Sequence, residues 1–195
     1  MISLHTENLG LQRGGEWLFR NLDLSIPSGS IVALLGPSGV GKSSLLSCLS
    51  GSETPTEGKV EFKINTGEIR ETENISPHLG IIFQSLRLTD HVTVLENVLY
   101  GRVAQYGLKE SIFGFPTPDK EKAFEILKDL GIDHLAYKWT SQTSGGERQR
   151  TAIARTLFQD PSFILADEPV SNLDTYYAGR VMGLFRNLTS QNGKI

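Results

Sequence analysis

The segment that most constrains this chain is GPSGVGKS, residues 36–43, which lies between the apolar run IVALL and the segment SLLSCLSG. The apolar run, Ile31–Leu35, predicts a strand covered on both faces, and Lys42–Leu49 predicts a helix that ends at Gly51. Two glycines that frame four residues and precede Lys and Ser form the phosphate-binding loop pattern. The succession of strand, loop and helix favours a fold in which a sheet edge binds phosphate groups.

The residue types of this loop suit an anion. Gly36, Gly39 and Gly41 let successive backbone N–H groups turn towards a phosphate, because they have no side chain to block close approach or to resist positive φ. The N-terminus of the next helix adds N–H groups and the positive end of its dipole. Lys42 is placed to contact the β and γ phosphates and Ser43 to bind Mg²⁺. The alternative is a glycine turn with an incidental lysine, which the flanking elements disfavour.

Length, composition and charge set the broad class. The chain has 195 residues, 38% of them apolar, which suffices for one sizeable core, alone or with an inserted subdomain. A formal net charge of −3 gives no basic face large enough to argue for nucleic acid, and none is expected as a partner, although an acidic chain can still hold a local basic groove and its net charge does not identify its partners. The single cysteine, Cys48, excludes an internal disulfide and is interpreted as a packed helix residue. No segment resembles a signal peptide or a membrane-spanning helix, so we expect no direct membrane insertion.

The early part of the chain predicts strands. Ser3–Leu11, Leu18–Ile26 and the segments 58–62 and 79–84 have the composition and bounding turns of strands. The polar segment Asn65–Asn74 predicts a surface hairpin or loop.

Helices follow in the middle of the chain. Thr93 and Glu96 have capping-box spacing, and Thr117, as the cap of the segment Thr117–Asp119, predicts a second helix that ends at Gly131. Phe163–Ala166 predicts a buried strand and Asp174–Leu188 a further helix. We interpret the whole as one domain with a helical insertion.

Two acids follow the buried strand. Asp167 and Glu168 would lie at its carboxyl end, where open α/β sheets bind ligands. One carboxylate can bind Mg²⁺ and the other can polarise a water for attack on a γ-phosphate. A solvated strand end is the alternative for this pair alone, but the phosphate-binding loop elsewhere in the chain favours the site.

A second helix start rich in small residues lies at TSGGERQR, residues 143–150. A serine and two glycines that open a helix form a second phosphate-facing N-terminus, and Ser144 with Glu147 also has capping-box spacing. Together with Gln84, the segment ADEP at 166–169 and SNLD at 171–174, this order of motifs resembles the nucleotide-binding subunits of ABC transporters. The likeness spans almost the whole chain.

The resemblance implies an α/β fold, a P-loop NTPase of the RecA-like ABC type with an antiparallel β subdomain and an inserted α-helical subdomain. It implies that residues 1–195 form one nucleotide-binding domain, with the core at 1–84 and 158–195 and the helical subdomain at about 85–157. Two copies, or this chain and another ABC ATPase, would pack head to tail. Each ATP would lie between the phosphate-binding loop of one copy and the Ser144 segment of the other.

The resemblance also implies site roles, with ATP and Mg²⁺ as ligands. Glu168 would be the catalytic base, and Gln84 would take part in catalysis by sensing Mg²⁺ and the membrane partner. Ser43, Gln84 and Asp167 would bind the metal. The implied nucleotide-binding residues are Gly36, Pro37, Ser38, Gly39, Val40, Gly41, Lys42, Ser43, Ser44, Ser144, Gly145, Gly146, Asp174 and Arg13.

The sequence departs from the family pattern at three places. Glu147 stands where glutamine is commonest, so we expect weakened polar contacts there. The usual adenine-stacking aromatic residue is missing, and Arg13 is assigned to the base through its guanidinium, with Trp17 as the alternative. The family's switch histidine is expected beyond Ile195, which implies a truncated chain that hydrolyses ATP poorly.

Four segments resemble the phosphonate importer ATPases in particular: 83–103, the insertion 109–150, 166–174 and 179–188. This implies a peripheral protein at the cytoplasmic face of the cell membrane, bound to an integral membrane permease through the Gln84 region and the helical subdomain. Import of another polar solute and a stand-alone soluble ABC ATPase that regulates another protein remain alternatives.

Other nucleotide-binding classes lack support. A GTPase would need a guanine-reading NKxD segment, which the sequence lacks. A DNA-repair or chromosome ATPase would place a long heptad coiled coil between Gln84 and Ser144, where the chain is short and mixed. A ribosome-acting ABC protein would carry two cassettes in one chain.

Overall fold

The structure, a computed structural model, describes residues 2–64, 69–71, 78–106 and 114–192. These residues divide into two compact units. Unit 1 takes the described residues of Met1–Ile81, Pro161–Asp167 and Leu184–Ile195, and unit 2 takes those of Ile82–Asp160 and Glu168–Gly183.

Unit 1 is built on an antiparallel sheet. β1 (Ile2–Arg13) lies between β2 (Glu16–Leu22) and β4 (Glu57–Ile64), and β5 (Ile69–Glu71) pairs with the other side of β4. The short β3 (Ser25–Ile26) also pairs with β1. The predicted strands Ser3–Leu11 and 58–62 are confirmed as β1 and β4, whereas the single strand predicted at Leu18–Ile26 is wrong, because it is divided between β2 and β3 at Asp23 and Leu24. β5, which is antiparallel to β4, lies within the segment Asn65–Asn74 that was predicted as a surface hairpin or loop, and the other residues of that segment fall outside the described ranges.

A bulge in β1 lets both ends of this long strand face the same core. Leu4 is buried near its start and Leu9 near its end, so the buried positions change from even to odd numbers. The pairing register with β4 shifts between Glu7 and Gly10, and Asn8 has a φ of +46°. A bulge adds one residue to one strand, which restores the orientation that a strict alternation would lose.

The core of unit 1 joins the sheet to α1 (Lys42–Leu49), β6 (Leu79–Ile82) and β7 (Phe163–Ala166). β6 and β7 form a two-stranded sheet. The rings of Phe62 and Phe163 meet edge to face with their centroids 5.4 Å apart. The prediction that Cys48 is a packed helix residue is confirmed, because it is 1% exposed and burial raises the pKa of its thiol to about 11.

The prediction of a buried strand at Ile31–Leu35 is wrong. These residues form no strand, and Val32 and Leu35 are 61% and 88% exposed. An apolar run records a preference for burial, but a strand also needs neighbours for its N–H and C=O groups. Among the described strands, β6 and β7 pair with each other and neither pairs with this segment.

Unit 2 is helical. Its main helices are α2 (Val94–Leu99), α3 (Thr117–Asp129), α4 (Gly145–Gln159) and the first part of α5 (Thr175–Asn192), and 3-10 turns cover Tyr100–Gln105, Asp133–Leu135 and Thr140–Gln142. α2, α3 and α4 pack against one another. In the part of the chain that the structure describes, no helix combines the length and apolarity needed to cross a bilayer.

The predicted helix starts have different outcomes. The capping box of α2 is confirmed, since the Glu96 N–H donates to Thr93 Oγ1 at 3.2 Å and the Thr93 N–H donates to Glu96 Oε2 at 2.8 Å. Thr117 as the cap of α3 is wrong. The N-cap is Pro116, whose carbonyl accepts N–H bonds from Asp119 and Lys120, both at 3.1 Å. The proline carbonyl thus starts the helix one residue earlier than a hydroxyl cap on Thr117 would.

Candidate functional site

The phosphate-binding loop has the backbone that its glycines predict. Gly39 and Gly41 have φ values of +82° and +100°, which most side chains disfavour, and Gly41 is the N-cap of α1. At Gly36, which has no positive φ, a Cβ would lie 3.1 Å from Cγ1 of the exposed Val40, so a side chain there would make that neighbour shift. Residues 36–40 and Ser43 are exposed. The loop is therefore open to solvent along most of its length.

Lys42 lies against the inside of this loop. Its Nζ donates to the carbonyl oxygens of Gly36 and Pro37, both at 2.8 Å. No side chain caps α1, and the first N–H groups of any helix have no acceptor within the helix. A cation and a set of backbone donors therefore meet at one helix start, which is the chemistry that a phosphate requires.

Two of the predicted metal ligands also belong to unit 1. Ser43 is exposed in the first turn of α1, and Asp167 is half-buried directly after β7. Two residues of β7, Phe163 and Leu165, share one core cluster with Leu45 and Leu49 of α1. Within the described ranges, no group of three or more His, Cys, Asp or Glu side chains is arranged to hold a metal ion. One hydroxyl and one carboxylate fit Mg²⁺, which takes few protein ligands and completes its shell with phosphate and water.

The tip of α4, defined here as Ser144–Gly146, lies in unit 2 and has the predicted capping box. The Glu147 N–H donates to Ser144 Oγ at 3.4 Å, and the Ser144 N–H donates to Glu147 Oε2 at 2.7 Å. The backbone hydrogen bond from Ser144 lowers the pKa of Glu147 below its usual range. The capping-box prediction is confirmed, and the box fixes the first turn of the helix.

The two glycines of this tip serve different purposes. A Cβ on Gly145 would meet no atom within 4 Å, so this position is open to an external group. A Cβ on Gly146 would lie 3.0 Å from the Asn172 carbonyl oxygen. Gly146 therefore allows the chain around Asn172 to pack closely on α4.

The Glu168 turn, defined here as Glu168–Leu173, leads from β7 towards α5. Glu168 is exposed and has a φ of +52°, which is unusual for a residue with a side chain. Its carbonyl accepts from the Ser171 N–H at 3.2 Å and from Ser171 Oγ at 3.0 Å. Asp174, also exposed, accepts the Tyr177 N–H at 3.0 Å on its carboxylate and so caps α5.

The sequence analysis missed Gln149, the most buried polar residue that contacts this turn. Gln149 is 1% exposed, and its Nε2 donates to the Pro169 carbonyl at 2.8 Å and to the Glu168 carbonyl at 3.3 Å. Its Oε1 accepts from Asn172 Nδ2 at 3.2 Å. The sequence offers one signal that Gln149 is buried. It lies three and four residues before the apolar Ala152 and Ile153, which are themselves buried, and this spacing puts all three on one face of the helix.

Gln84 is exposed just beyond β6, and the residues after it are held from α4. Leu86 and Arg87 have φ values of +57° and +47°. The Arg155 guanidinium donates to both of their carbonyls at 2.7 Å. The pKa of Arg155 is lowered, mainly because the guanidinium is buried and to a lesser extent because the positive charge of Arg87 is near.

The two candidates for adenine stacking lie on neighbouring strands. Arg13 is paired with Glu53, with 2.7 Å between Nη2 and Oε1, and its side chain is 61% exposed. Trp17 is 37% exposed, and the Arg20 guanidinium lies 4.4 Å from its ring centroid. The assignment of Arg13, with Trp17 as the alternative, stays a prediction.

The predicted site residues are divided between the two units. Unit 1 holds Arg13, residues 36–44 and Asp167, and unit 2 holds Gln84, residues 144–146, Glu168 and Asp174.

Known proteins share this arrangement of sequence and fold. A family profile described as "ABC transporter" matches residues 19–171. A "Phosphonates import ATP-binding protein PhnC 2" of Oceanobacillus iheyensis is 38% identical over 99% of this chain and 78% of its own length. A "Phosphonates import ATP-binding protein PhnC 1" of Rhodopseudomonas palustris is 37% identical over 97% of this chain and 70% of its own length.

Solved structures agree with this similarity. A dimeric ATP-binding cassette in a post-hydrolysis state, bound to ADP and Pi, aligns with a TM-score of 0.82 at 30% identity. The alignment covers 98% of this chain and 84% of that one. A nucleotide-free ATP-binding cassette from an ABC transporter aligns with a TM-score of 0.78 at 26% identity, over 98% of this chain and 78% of that one.

The capping box of α4 predicts a dependence of stability on pH. The pKa of Glu147 is lower in the folded than in the unfolded chain, so its stabilisation is present above the unfolded value and is lost as the pH falls through the folded one. Glu147→Gln keeps an acceptor for the Ser144 N–H but does not titrate there. Between about pH 5 and pH 3, the free energy of unfolding should therefore fall less in this variant than in the wild type.

Urea unfolding at a series of pH values measures this difference. Glu125→Gln, which replaces an exposed glutamate of α3, is the matched control and should follow the wild type. Identical pH profiles for Glu147→Gln and the wild type would contradict the prediction.

Proposed function

The chain belongs to the ABC transporter family, and we propose that it is the ATP-binding and ATP-hydrolysing subunit of an importer, driven by head-to-tail pairing of two such subunits around ATP. The family membership confirms the predicted resemblance and the α/β P-loop NTPase fold class. The single nucleotide-binding domain over residues 1–195 and the roles of individual site residues are part of this proposal.

The observation that carries the proposal is the position of Lys42. Its ammonium lies 2.8 Å from two carbonyl oxygens inside a loop that has glycines at positive φ and an uncapped helix behind it. Phosphate oxygens carry more negative charge than carbonyl oxygens, so bound ATP would take these hydrogen bonds in their place. Residues 36–44 would then surround the β and γ phosphates with backbone N–H groups.

The acidic and polar residues complete the chemistry. Ser43, Asp167 and Gln84 would hold Mg²⁺, which supplies positive charge to the phosphate oxygens when bound. Glu168, an exposed carboxylate on a strained turn, would orient a water and accept its proton during attack on the γ-phosphate. Arg13 would stack on the adenine base.

The tip of α4 supports the pairing of two subunits. Ser144 is exposed, and Gly145 has open space where a side chain would project. Its N–H groups lie in the first turn of a helix, where they have no acceptor within the helix. The tip would contact the γ-phosphate held by the partner's phosphate-binding loop, with Asp174 at the interface. The similar cassette bound to ADP and Pi is itself dimeric.

The cargo and the membrane partner are proposed from the relatives. Several phosphonate import ATP-binding proteins are between 33% and 39% identical to this chain. We therefore propose phosphonate or a related phosphorus oxyanion as the cargo. An integral membrane permease would bind the Gln84 region and the helices of unit 2, which would place the protein peripherally at the cytoplasmic face of the membrane.

Lys42→Ala should weaken ATP binding by about 100-fold or more, because the loop loses its mobile cation and with it charge-assisted hydrogen bonds to the phosphates. Titration with a fluorescent ATP analogue in the presence of Mg²⁺ measures the dissociation constant. Lys63→Ala removes an exposed lysine of β4 and should bind ATP as the wild type does. Equal affinity in Lys42→Ala and the wild type would contradict the assignment.

Ser144→Arg should leave ATP binding by the isolated subunit within about twofold of the wild type and reduce ATP turnover by about 100-fold or more. The large cation would occupy the space at the helix tip that the partner's nucleotide needs. Ser190→Arg, on an exposed position of α5, is the control and should hydrolyse ATP normally. If binding and turnover fell together in Ser144→Arg, the tip would act on the nucleotide of its own chain.

Deletion of the gene in its native organism should abolish uptake of a radiolabelled alkylphosphonate and spare phosphate uptake. The wild-type gene should restore uptake and the Lys42→Ala gene should not. Loss of uptake of a different polar solute would favour the importer alternative. Unchanged uptake, with the protein purifying away from any integral membrane protein, would favour the stand-alone ATPase.

A further inference from the structure

The buried amide of Gln149 joins α4 to the turn that carries the proposed catalytic base. Burial of a polar side chain costs free energy unless its donors and acceptors are bonded. Gln149, at 1% exposure, donates to the carbonyls of Glu168 and Pro169 and accepts from the side chain of Asn172. One side chain of α4 thus contacts the turn at both of its ends.

The Glu168 turn needs such an anchor. A φ of +52° costs of order 1–3 kcal/mol at a residue with a side chain and persists when its surroundings enforce it. The Glu168 carbonyl accepts from two groups of Ser171, which belongs to the same turn, and from Gln149 Nε2, which belongs to α4. The bonds from Ser171 set the shape of the turn, and the bonds from Gln149 set its position relative to the helix.

Close packing reinforces this link at the tip of α4. The position of a Cβ on Gly146 is only 3.0 Å from the Asn172 carbonyl oxygen, so the tip and the turn are in direct contact. A movement of the tip would therefore be passed to the turn by contact at Gly146 and by hydrogen bonds at Gln149.

We propose that Gln149 is a positioning residue that makes the orientation of the Glu168 carboxylate depend on engagement of the Ser144–Gly146 tip with a nucleotide phosphate. This inference rests on the proposed function, in which the tip contacts phosphate and Glu168 orients the attacking water. Gln149 contacts neither nucleotide nor water in this scheme. It acts through the backbone of the turn.

Gln149→Leu tests the link because leucine fills a similar volume without donors or acceptors. The variant should bind the fluorescent ATP analogue within about twofold of the wild type, since the phosphate-binding loop is untouched. Its kcat should fall by about 10- to 100-fold, the size expected when a reacting group is misplaced by about 1 Å. The N–H groups of Ser171 and Leu173, which are bonded within the turn, should exchange with solvent about tenfold faster.

Gln149→Glu separates the donor bonds from the acceptor bond. It keeps an oxygen for the Asn172 amide but places a carboxylate oxygen against the carbonyls of Glu168 and Pro169. This variant should therefore show the same losses as Gln149→Leu. Wild-type kcat and exchange in Gln149→Glu would show that the carbonyl contacts do not position the turn, and would overturn the inference.

Thr151→Val is the matched control. Thr151 is 0% exposed on the same helix, and its Oγ1 donates to the Glu147 carbonyl at 2.8 Å within α4. Losing that bond should leave kcat and the exchange rates of the turn within about twofold of the wild type. The Leu127 N–H, in the interior of α3, reports opening of unit 2 away from the turn.

The outcomes separate the two proposals. A wild-type protein that fails to bind ATP would overturn the proposed function. ATP binding by the wild type with no faster exchange at Ser171 and Leu173 in Gln149→Leu would overturn the role of Gln149 alone. Equal acceleration at Leu127 and in the turn would also overturn it, because the variant would then have loosened unit 2 as a whole.

Discussion

Helix N-termini impose the constraint on which the chemistry of this chain depends, because their first N–H groups have no acceptor within the helix. α1 has Gly41 as its N-cap and no side-chain cap, so an anion can take its first N–H groups. α4 is different, since Ser144 and Glu147 occupy two of its N–H groups in a capping box. The box holds the first turn in place, and a Cβ on Gly145 would meet no atom within 4 Å.

The sequence predicted best where one local signal determines one local structure. The positive φ values at Gly39 and Gly41 and the capping boxes of α2 and α4 all follow from residues within a few positions of one another. The apolar run Ile31–Leu35 failed as a predictor, because a strand depends on partners elsewhere in the chain. Thr117 failed because a hydroxyl that suits a cap does not prevent the preceding carbonyl from starting the helix.

The contacts that the sequence could not reveal are those from long polar side chains to distant carbonyls. Gln149 reaches Pro169 and Arg155 reaches Leu86, over separations of 20 and 69 residues. Every residue has a backbone carbonyl that can accept such a bond, so the residue type at the acceptor position gives no sign of the contact. The positive φ of Glu168 could not be predicted from the sequence either, because glutamate is not a residue that favours the left-handed region.

Both long-range contacts come from α4, and each holds a segment that has positive φ at non-glycine residues. The non-glycine residues Leu86, Arg87 and Glu168 adopt positive φ beside the two segments proposed to meet the permease and the attacking water. α4 supplies the donors that hold both segments, the Arg155 guanidinium for one and the Gln149 amide for the other. Arginine suits the first because its planar fork satisfies two neighbouring carbonyls at once and stays charged although burial lowers its pKa. Strain of order 1–3 kcal/mol at each of Leu86 and Arg87 is comparable to hydrogen bonds from a charged donor such as Arg155, about 1.5–3 kcal/mol, so removing Arg155 would release this segment rather than leave it in place.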